Sequence, residues 1–430
     1  MHSLADLRAG KLAGIRRLDL SCGLEHFPQE IFDLADSLEV LNLSGNALSS
    51  LPDDLHRLTK LEVLFVSDNL FTELPPVLGR CERLSMIGFK ANRIEHVPAE
   101  SLPPQLRWLI LTDNRLETLP EQLGRCPMLQ KLMLAGNRLQ SLPASLANCQ
   151  QLELLRLSAN QLPALPDWLM QMPALAWLAH SGNPFSRSPE QPAIKRIPWA
   201  QLQLQQRLGE GASGVIQQGL WHSAEGSRAV AIKLYKGELT SDGSPQDEML
   251  ACMAAGAHPQ LIEVIGEVDG HPDQRRGLVM GLIDPALRNL AGPPSLASCS
   301  RDIYPPDTVL SLPVVLRLAT GIASVVAHLH TIGITHGDLY GHNILWQADG
   351  QCLLGDFGAA AFHPHARIST ALERIEVRAF GILLEELLSH CPDSDSCPAL
   401  ARLAARCVQP AVALRPGMQE VHDCLQALAG

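Results

Sequence analysis

Leucines set the rhythm of the first half of the chain. The pattern L-x-x-L-x-L-x-x-N-x-L starts at Leu38 (LEVLNLSGNAL) and again at Leu61, Leu84, Leu106, Leu129, Leu152 and Leu175, with a degenerate copy at Ile15. Successive copies start 23 residues apart, apart from one step of 22 between Leu84 and Leu106. A register held that long marks an internal repeat. Each unit predicts a short strand, a turn and a return segment that cannot bury its own leucines, so neighbouring units must stack to share a core. The register then stops. The Pro-containing stretch SPEQPAIKRIPWA (188–200) reads as a linker between a first domain, 1–187, and a second, 201–430.

Asn46, Asn69, Asn92, Asn114, Asn137, Asn160 and Asn183 recur at the strand-to-turn corner, where a buried amide can satisfy backbone groups freed by the bend. Leu-Pro steps (Leu51–Pro52, Leu74–Pro75, Leu119–Pro120, Leu142–Pro143, Leu165–Pro166) open the return segments, as suits proline's fixed φ and missing N–H. Over residues 15–185 the chain resembles the leucine-rich repeat family, which implies an α/β solenoid about 35–40 Å long at the usual strand spacing. Outward strand positions form the concave face of such a stack. Here they are Val40, Val63, Phe65, Met86, Trp108, Ile110, Met133, Leu154 and Trp177, interrupted by Lys131 and Arg156. An exposed apolar row of this kind predicts a docking face for a protein partner or substrate. The competing reading is that neighbouring side chains or the second domain cover it.

In the second half, alternating LQLQQRL and VIQQGLW read as strands, so Gly209, Gly211 and Gly214 fall in a hairpin, where missing Cβ atoms let backbone approach phosphates. VAIK is an apolar strand ending in Lys233, within reach of phosphates under that hairpin. SPQDEMLACMAA reads as a helix start with Ser244 as N-cap, Pro245 at N1 and Asp247 completing a capping box. That leaves Glu248 to pair with Lys233; the alternative is a surface glutamate complementing the helix dipole. An amphipathic run, VVLRLATGIASVVAHLHTIG, leads to ITHGDLYGHNIL, where Asp338 would accept or orient a hydroxyl proton and Asn343 would bind a metal. In LLGDFGAA, Asp356 follows an apolar strand as a second metal ligand. Two such oxygen ligands plus a triphosphate suit Mg²⁺, or Mn²⁺ in its place.

With these motifs in order, residues from about 200 to 430 resemble the eukaryotic-type protein kinases. The resemblance implies an α+β bilobal domain using ATP. It makes Asp338, Lys233 and Glu248 the catalytic base and ion pair, and Asn343 and Asp356 the metal ligands. The nucleotide site would comprise Leu208, Gly209, Gly211, Gly214, Ile216, Ala231, Lys233, Met280, Leu282 and Leu345. ERIEVRAFGILLEELL matches the family's Asp-Val-x-Ser-Phe-Gly helix with Glu376 for Asp, and RPGMQEV its C-terminal Arg-Pro segment.

Three departures stand out. Gly337 replaces the arginine that reads a phosphorylated activation loop, and Tyr340 replaces a lysine that contacts the γ-phosphate. Only 17 residues separate Gly358 from Glu376, without an Ala-Pro-Glu motif. A Pro- and Ser-rich segment, 284–307, is expected to be a loop near the nucleotide mouth. The His-Gly-Asp loop also resembles aminoglycoside and choline phosphotransferases, but those lack Val-Ala-Ile-Lys, Asp-Phe-Gly and the later Phe-Gly and Arg-Pro segments. A protein kinase, Ser/Thr rather than Tyr and including autophosphorylation, is the leading expectation; a small-molecule kinase and a pseudokinase scaffold are the alternatives.

Composition narrows this further. A net charge of −11 with no basic run argues against a nucleic-acid binder. The N-terminal stretch lacks the apolar core of a signal peptide and no 18-residue run is uniformly apolar, so no membrane span is expected. Eleven cysteines lack a pairing rhythm, and Cys81, Cys126 and Cys149 recur three residues before a repeat leucine, as buried small residues in a reduced cytoplasm would.

Overall fold

Each of the seven regular repeats turns at its asparagine. In the repeat around Asn137, the side-chain Oδ1 accepts from Leu116 N–H at 3.0 Å, and Nδ2 donates to the carbonyls of Leu111 and Leu134 at 2.8 and 2.9 Å. Asn69, Asn92, Asn114 and Asn160 repeat this three-way bond. The residue just before each asparagine sits in the left-handed region: Gly45, Asp68, Ala91, Asp113, Gly136, Ala159 and Gly182.

The structure, a computed structural model, describes residues 2–186, 194–211, 213–237, 239–363 and 366–429. It divides into two compact units, Met1–Ala174 and Leu175–Gly430. Residues 188–193 of the expected linker lie outside the described residues.

The first unit opens with helix α1 (Leu4–Arg8). Seven three-residue strands follow: β1 (Arg17–Asp19), β2 (Val40–Asn42), β3 (Val63–Phe65), β4 (Met86–Gly88), β5 (Trp108–Ile110), β6 (Lys131–Met133) and β7 (Leu154–Arg156). Each pairs in parallel with the next. Pro75, Pro120, Pro143 and Pro166 cap single turns of 3-10 helix on the return. The repeat leucines are almost fully buried, as the shared core requires.

The outward strand positions are more covered than expected. Val63, Met86 and Leu154 are buried, and Phe65, Trp108, Ile110 and Met133 are half-buried. In-register strands place side chains directly beside one another. Phe65 lies over Gly88, where an added Cβ would come within 2.6 Å of its ring. Lys131 Nζ sits 4.7 Å above the Trp108 ring, whose Nε1–H points at Met133 Sδ, 3.3 Å away.

The second unit begins with an eighth strand of the repeat type, β8 (Trp177–Ala179), and then β9 (Arg196–Pro198). A six-stranded sheet follows in the order β10-β11-β12-β14-β13-β9. Its further strands are β10 (Leu202–Glu210), β11 (Gly214–Ser223), β12 (Gly226–Tyr235), β13 (Val264–Asp269) and β14 (Gly277–Gly281), with helix α2 (Pro245–Ala255) between β12 and β13. Val230, Ile232 and Leu234 pack one core with Val268 and Val279, while Met249, Leu250 and Met253 of α2 cover Tyr235 and Leu278. Strand alternation sends one β12 set to each side.

The remaining part is mostly helical. It holds β15 (Arg288–Asn289), α3 (Leu312–Thr331), β16 (Ile334–Thr335), β17 (Ile344–Trp346), β18 (Cys352–Leu354), β19 (Ala361–Phe362), α4 (Ala366–Ser389), α5 (Pro398–Cys407) and α6 (Met418–Ala429). Helix α3 is long and apolar enough to cross a membrane by length and composition, although Arg317, Thr320 and Ser324 interrupt its apolar run. Half of its most apolar window is buried in the protein and it packs on α6. All eleven cysteines are free, and burial pushes the Cys81 and Cys126 thiols up to about 11 and Cys149 to about 12.

Candidate nucleotide and catalytic site

Register along the sheet brings the expected nucleotide residues together. Ile216 pairs with Lys233 across β11 and β12, and Ala231 with Met280 across β12 and β14. Gly211 N–H donates to Gly214 O at 2.9 Å, closing the glycine hairpin. A Cβ on Gly214 would sit 2.7 Å from Leu234 O, whereas Gly209 and Gly211 face open space. That open space is what phosphates require of such a loop.

Lys233 forms an ion pair with Glu248, whose side chain is only 2% exposed. The helix start delivers Glu248 there: Ser244 Oγ accepts from Asp247 N–H at 3.1 Å, so the cap consumes Asp247 and the next residue faces the sheet. Burial works to lower the Lys233 ammonium, but the carboxylates of Glu248 and Asp356, with the Cys252 thiol, hold it above its usual range. The cation therefore stays charged. A cavity of about 220 Å³ is bordered by Gly214, Ser213, Ile216, Lys233, Asp356 and Gly358. Behind it lies an apolar recess of about 110 Å³ that includes Met280, Cys252, Leu354 and Phe357.

Not every expected nucleotide residue borders these cavities. Ala231 is buried, Leu208 is exposed, and Leu345 is half-buried on β17. Leu282, 40% exposed, borders a separate recess with Arg228, Asp284 and Arg317.

The catalytic-type loop lies between β16 and β17. Asn343 Nδ2 donates to Asp338 Oδ2 at 2.8 Å and to Asp338 O at 2.9 Å. With that nitrogen engaged, the amide oxygen is the atom left for a cation. Asp356 has a left-handed φ of 53° and accepts from Gly358 N–H at 3.1 Å, and its carboxylate is exposed. An amide and a carboxylate oxygen are donors a hard divalent cation accepts. His336 fixes the loop from below: Nδ1 accepts from Asp338 N–H at 3.3 Å, so Nε2 donates to Gly355 O at 2.9 Å. Phe357 meets the His336 ring edge to face.

Two features escaped sequence reasoning. Glu376 of α4 accepts from Gly337 N–H at 2.7 Å and contacts His330 Nε2 at 2.8 Å. Burial would raise this carboxyl, but His330 and the Gly337 N–H hold it below its ordinary value. The other is where the 284–307 segment packs, against the catalytic loop. Its Arg288 and Asn289 pair with Trp346 and Leu345 of β17, and Asp302 accepts from His342 N–H and Nδ1 at 3.0 and 2.7 Å. A buried carboxylate needs such donors, and the catalytic loop supplies them.

Sheet, paired lysine and loop define the protein-kinase class of fold. Residues 202–377 match the protein tyrosine and serine/threonine kinase family, and residues 13–71 and 127–185 match the leucine rich repeat family. The chain thus carries leucine-rich repeats followed by a protein kinase domain. It is similar to a probable LRR receptor-like serine/threonine-protein kinase of Arabidopsis thaliana, 26% identical over 46% of this chain and 35% of that protein. A probable serine/threonine-protein kinase of Dictyostelium discoideum is 26% identical over 39% of this chain and 9% of its own length. For the serine/threonine-protein kinase TNNI3K of Mus musculus the figures are 23%, 40% and 19%. The chain therefore spans little more than a third of these relatives at most.

Proposed function

We propose that the chain transfers the γ-phosphoryl group of ATP to protein hydroxyls, Ser or Thr in preference to Tyr, with its own chain among the substrates. The observation that carries this is the buried Lys233–Glu248 pair bordering one cavity with Gly214 and Asp356. In phosphoryl transfer, positioning and charge stabilisation do nearly all the work. Lys233 holds the phosphates under the 209–214 hairpin, and Ile216, Ala231 and Met280 receive the base, with Leu208, Leu282 and Leu345 completing its pocket. Asp338 orients the attacking hydroxyl and accepts its proton. Asn343 and Asp356 would hold Mg²⁺, which when bound would offset the charge of the phosphates. Ser/Thr preference rests on the relatives' names.

The functional division follows the sequence: repeats to 187, a linker to 200, the kinase domain beyond. The repeats recruit a protein partner through Phe65, Trp108, Ile110 and Met133, the half-exposed part of the strand face. Free cysteines throughout favour a reducing, cytoplasmic setting.

Intact mass after incubation with Mg-ATP tests the reading. Wild type gains steps of about 80 Da per phosphoryl group; Asp338→Asn gains none, yet still binds ATP. Equal phosphorylation of both proteins sinks the assignment.

A further inference from the structure

Both departures around the catalytic loop face the same neighbour. Gly337, where the kinase pattern has arginine, has a φ of +74°, and a Cβ there would lie 2.6 Å from Ala359 O and 2.8 Å from Leu178 O. Leu178 is the middle residue of β8. No side chain fits at 337 while that strand is in place. Tyr340, where the pattern has lysine, stacks on Trp177 of the same strand, with ring centroids 4.3 Å apart and planes within 6°. Trp177 Nε1–H donates to Leu339 O at 3.0 Å, and the indole is 1% exposed. The Arg301 guanidinium lies 5.4 Å from the centroid of that indole, and the next residue, Asp302, holds His342. Residues 339–342 of the loop are thus gripped between a repeat strand and the 284–307 segment.

We propose that Trp177 is a positioning residue for Asp338, and that the last repeat strand holds the catalytic loop in the place of the missing arginine. The inference rests on the kinase reading above. It corrects the expectation that Trp177 belongs to a partner-docking face: its ring is already occupied by Tyr340. A stacked aromatic pair stabilises beyond the area it buries, and a buried N–H bonded to a carbonyl adds to it. Both act on the residues adjoining Asp338. A loop loosened there misplaces the base without touching the nucleotide cavity, and such misplacement costs rate rather than ATP affinity.

The test uses the full chain as wild type, Trp177→Ala and Trp177→Phe. Two readouts are taken: amide exchange of the loop peptide 334–345 against that of helix α3, and kcat with KM for ATP. Trp177→Ala is expected to speed loop exchange about tenfold with α3 unchanged, and to lower kcat about tenfold or more at unchanged KM. Trp177→Phe, which keeps a ring over Tyr340, restores most of both. Unchanged or increased kcat with an unaltered loop overturns the proposal. If wild type transfers no phosphate, the kinase reading fails, and loop exchange alone decides the clamp. If Trp177→Ala does not fold, Tyr340→Leu removes the stack from the other side and carries the same expectation and refutation.

Discussion

At the scale of single residues, the Lys233–Glu248 pair presents the clearest contest of magnitudes. Both side chains are largely out of water, and desolvation of two charges rivals their attraction, so the pair is weak evidence of stability in itself. Removing one partner is different, because the other is left buried and charged. Glu248→Ala is expected to lower stability by about 3 kcal/mol, read as a shift in denaturant midpoint at constant slope. The double change Glu248→Leu with Lys233→Met is expected to cost well under the sum of the single ones; additive losses would show that the two charges do not interact. Activity separates the two effects. Lys233→Met is expected to reduce transfer about 10²–10³-fold even where the protein stays folded, and a variant with wild-type turnover would remove Lys233 from the mechanism. These residues were legible in the sequence because local spacing fixes them: a strand end, a cap, a helix start. Glu376 and Trp177 were not legible as loop partners, since their partners come from distant stretches and neither residue type announces such a role. The glycine at 337 was the available signal, read only as a lost arginine.

At the scale of elements, the repeat corner couples a conformational cost to a hydrogen-bond gain. Ala91 and Ala159 hold left-handed φ values of 53° each, a conformation costing a non-glycine residue about 1–2 kcal/mol. The following asparagine offsets it by serving three backbone groups at once. Asn137→Ala strands Leu116 N–H and two carbonyls. Each such loss costs about 1–3 kcal/mol, less whatever water recovers. A net loss of about 3 kcal/mol is therefore expected, visible in the denaturant midpoint of the full chain. A loss below about 1 kcal/mol would mean that the corner is held by leucine packing alone. The period made the strands, corners and return segments readable in advance, because one error in register would have misplaced every leucine. Coverage of the strand face was less readable. Whether Val63 or Met86 is exposed depends on the side chain one strand away, as with Lys131 over Trp108, and no one-dimensional pattern encodes that neighbour's reach. The packing of the 284–307 segment on the catalytic loop was unreadable for the same reason: Pro and Ser content signals a loop but not which neighbour it meets.

At the scale of the whole molecule, buried titratable groups pull stability in opposite directions as pH falls. His180 and His363 are held neutral by burial, with values lowered to about 4. The unfolded chain takes up their protons first, near pH 6.5, so their contribution is complete above that value and is lost as pH falls toward 4. Each shift corresponds to about 3 kcal/mol. Glu386, beside Tyr304 and Asp302, is pushed by burial up to about 7, so the folded state protonates first and gains stability over nearly the same interval, again about 3 kcal/mol. Glu376 is lowered, and its share is lost only below the ordinary carboxylate value. For His180, His363 and Glu386 taken together, two losses against one gain leave a net fall of about 3 kcal/mol between pH 7 and pH 4. The variants separate the contributions. His180→Leu is expected to flatten the fall to nearly nothing, while Glu386→Gln, which removes the opposing gain, is expected to steepen it to about 6 kcal/mol. Denaturant unfolding at pH 7, 5.5 and 4.5 measures the slope in all three proteins. Identical slopes would show that these groups ionise in the folded state as freely as in water, and that the packing around His180 and Glu386 admits solvent.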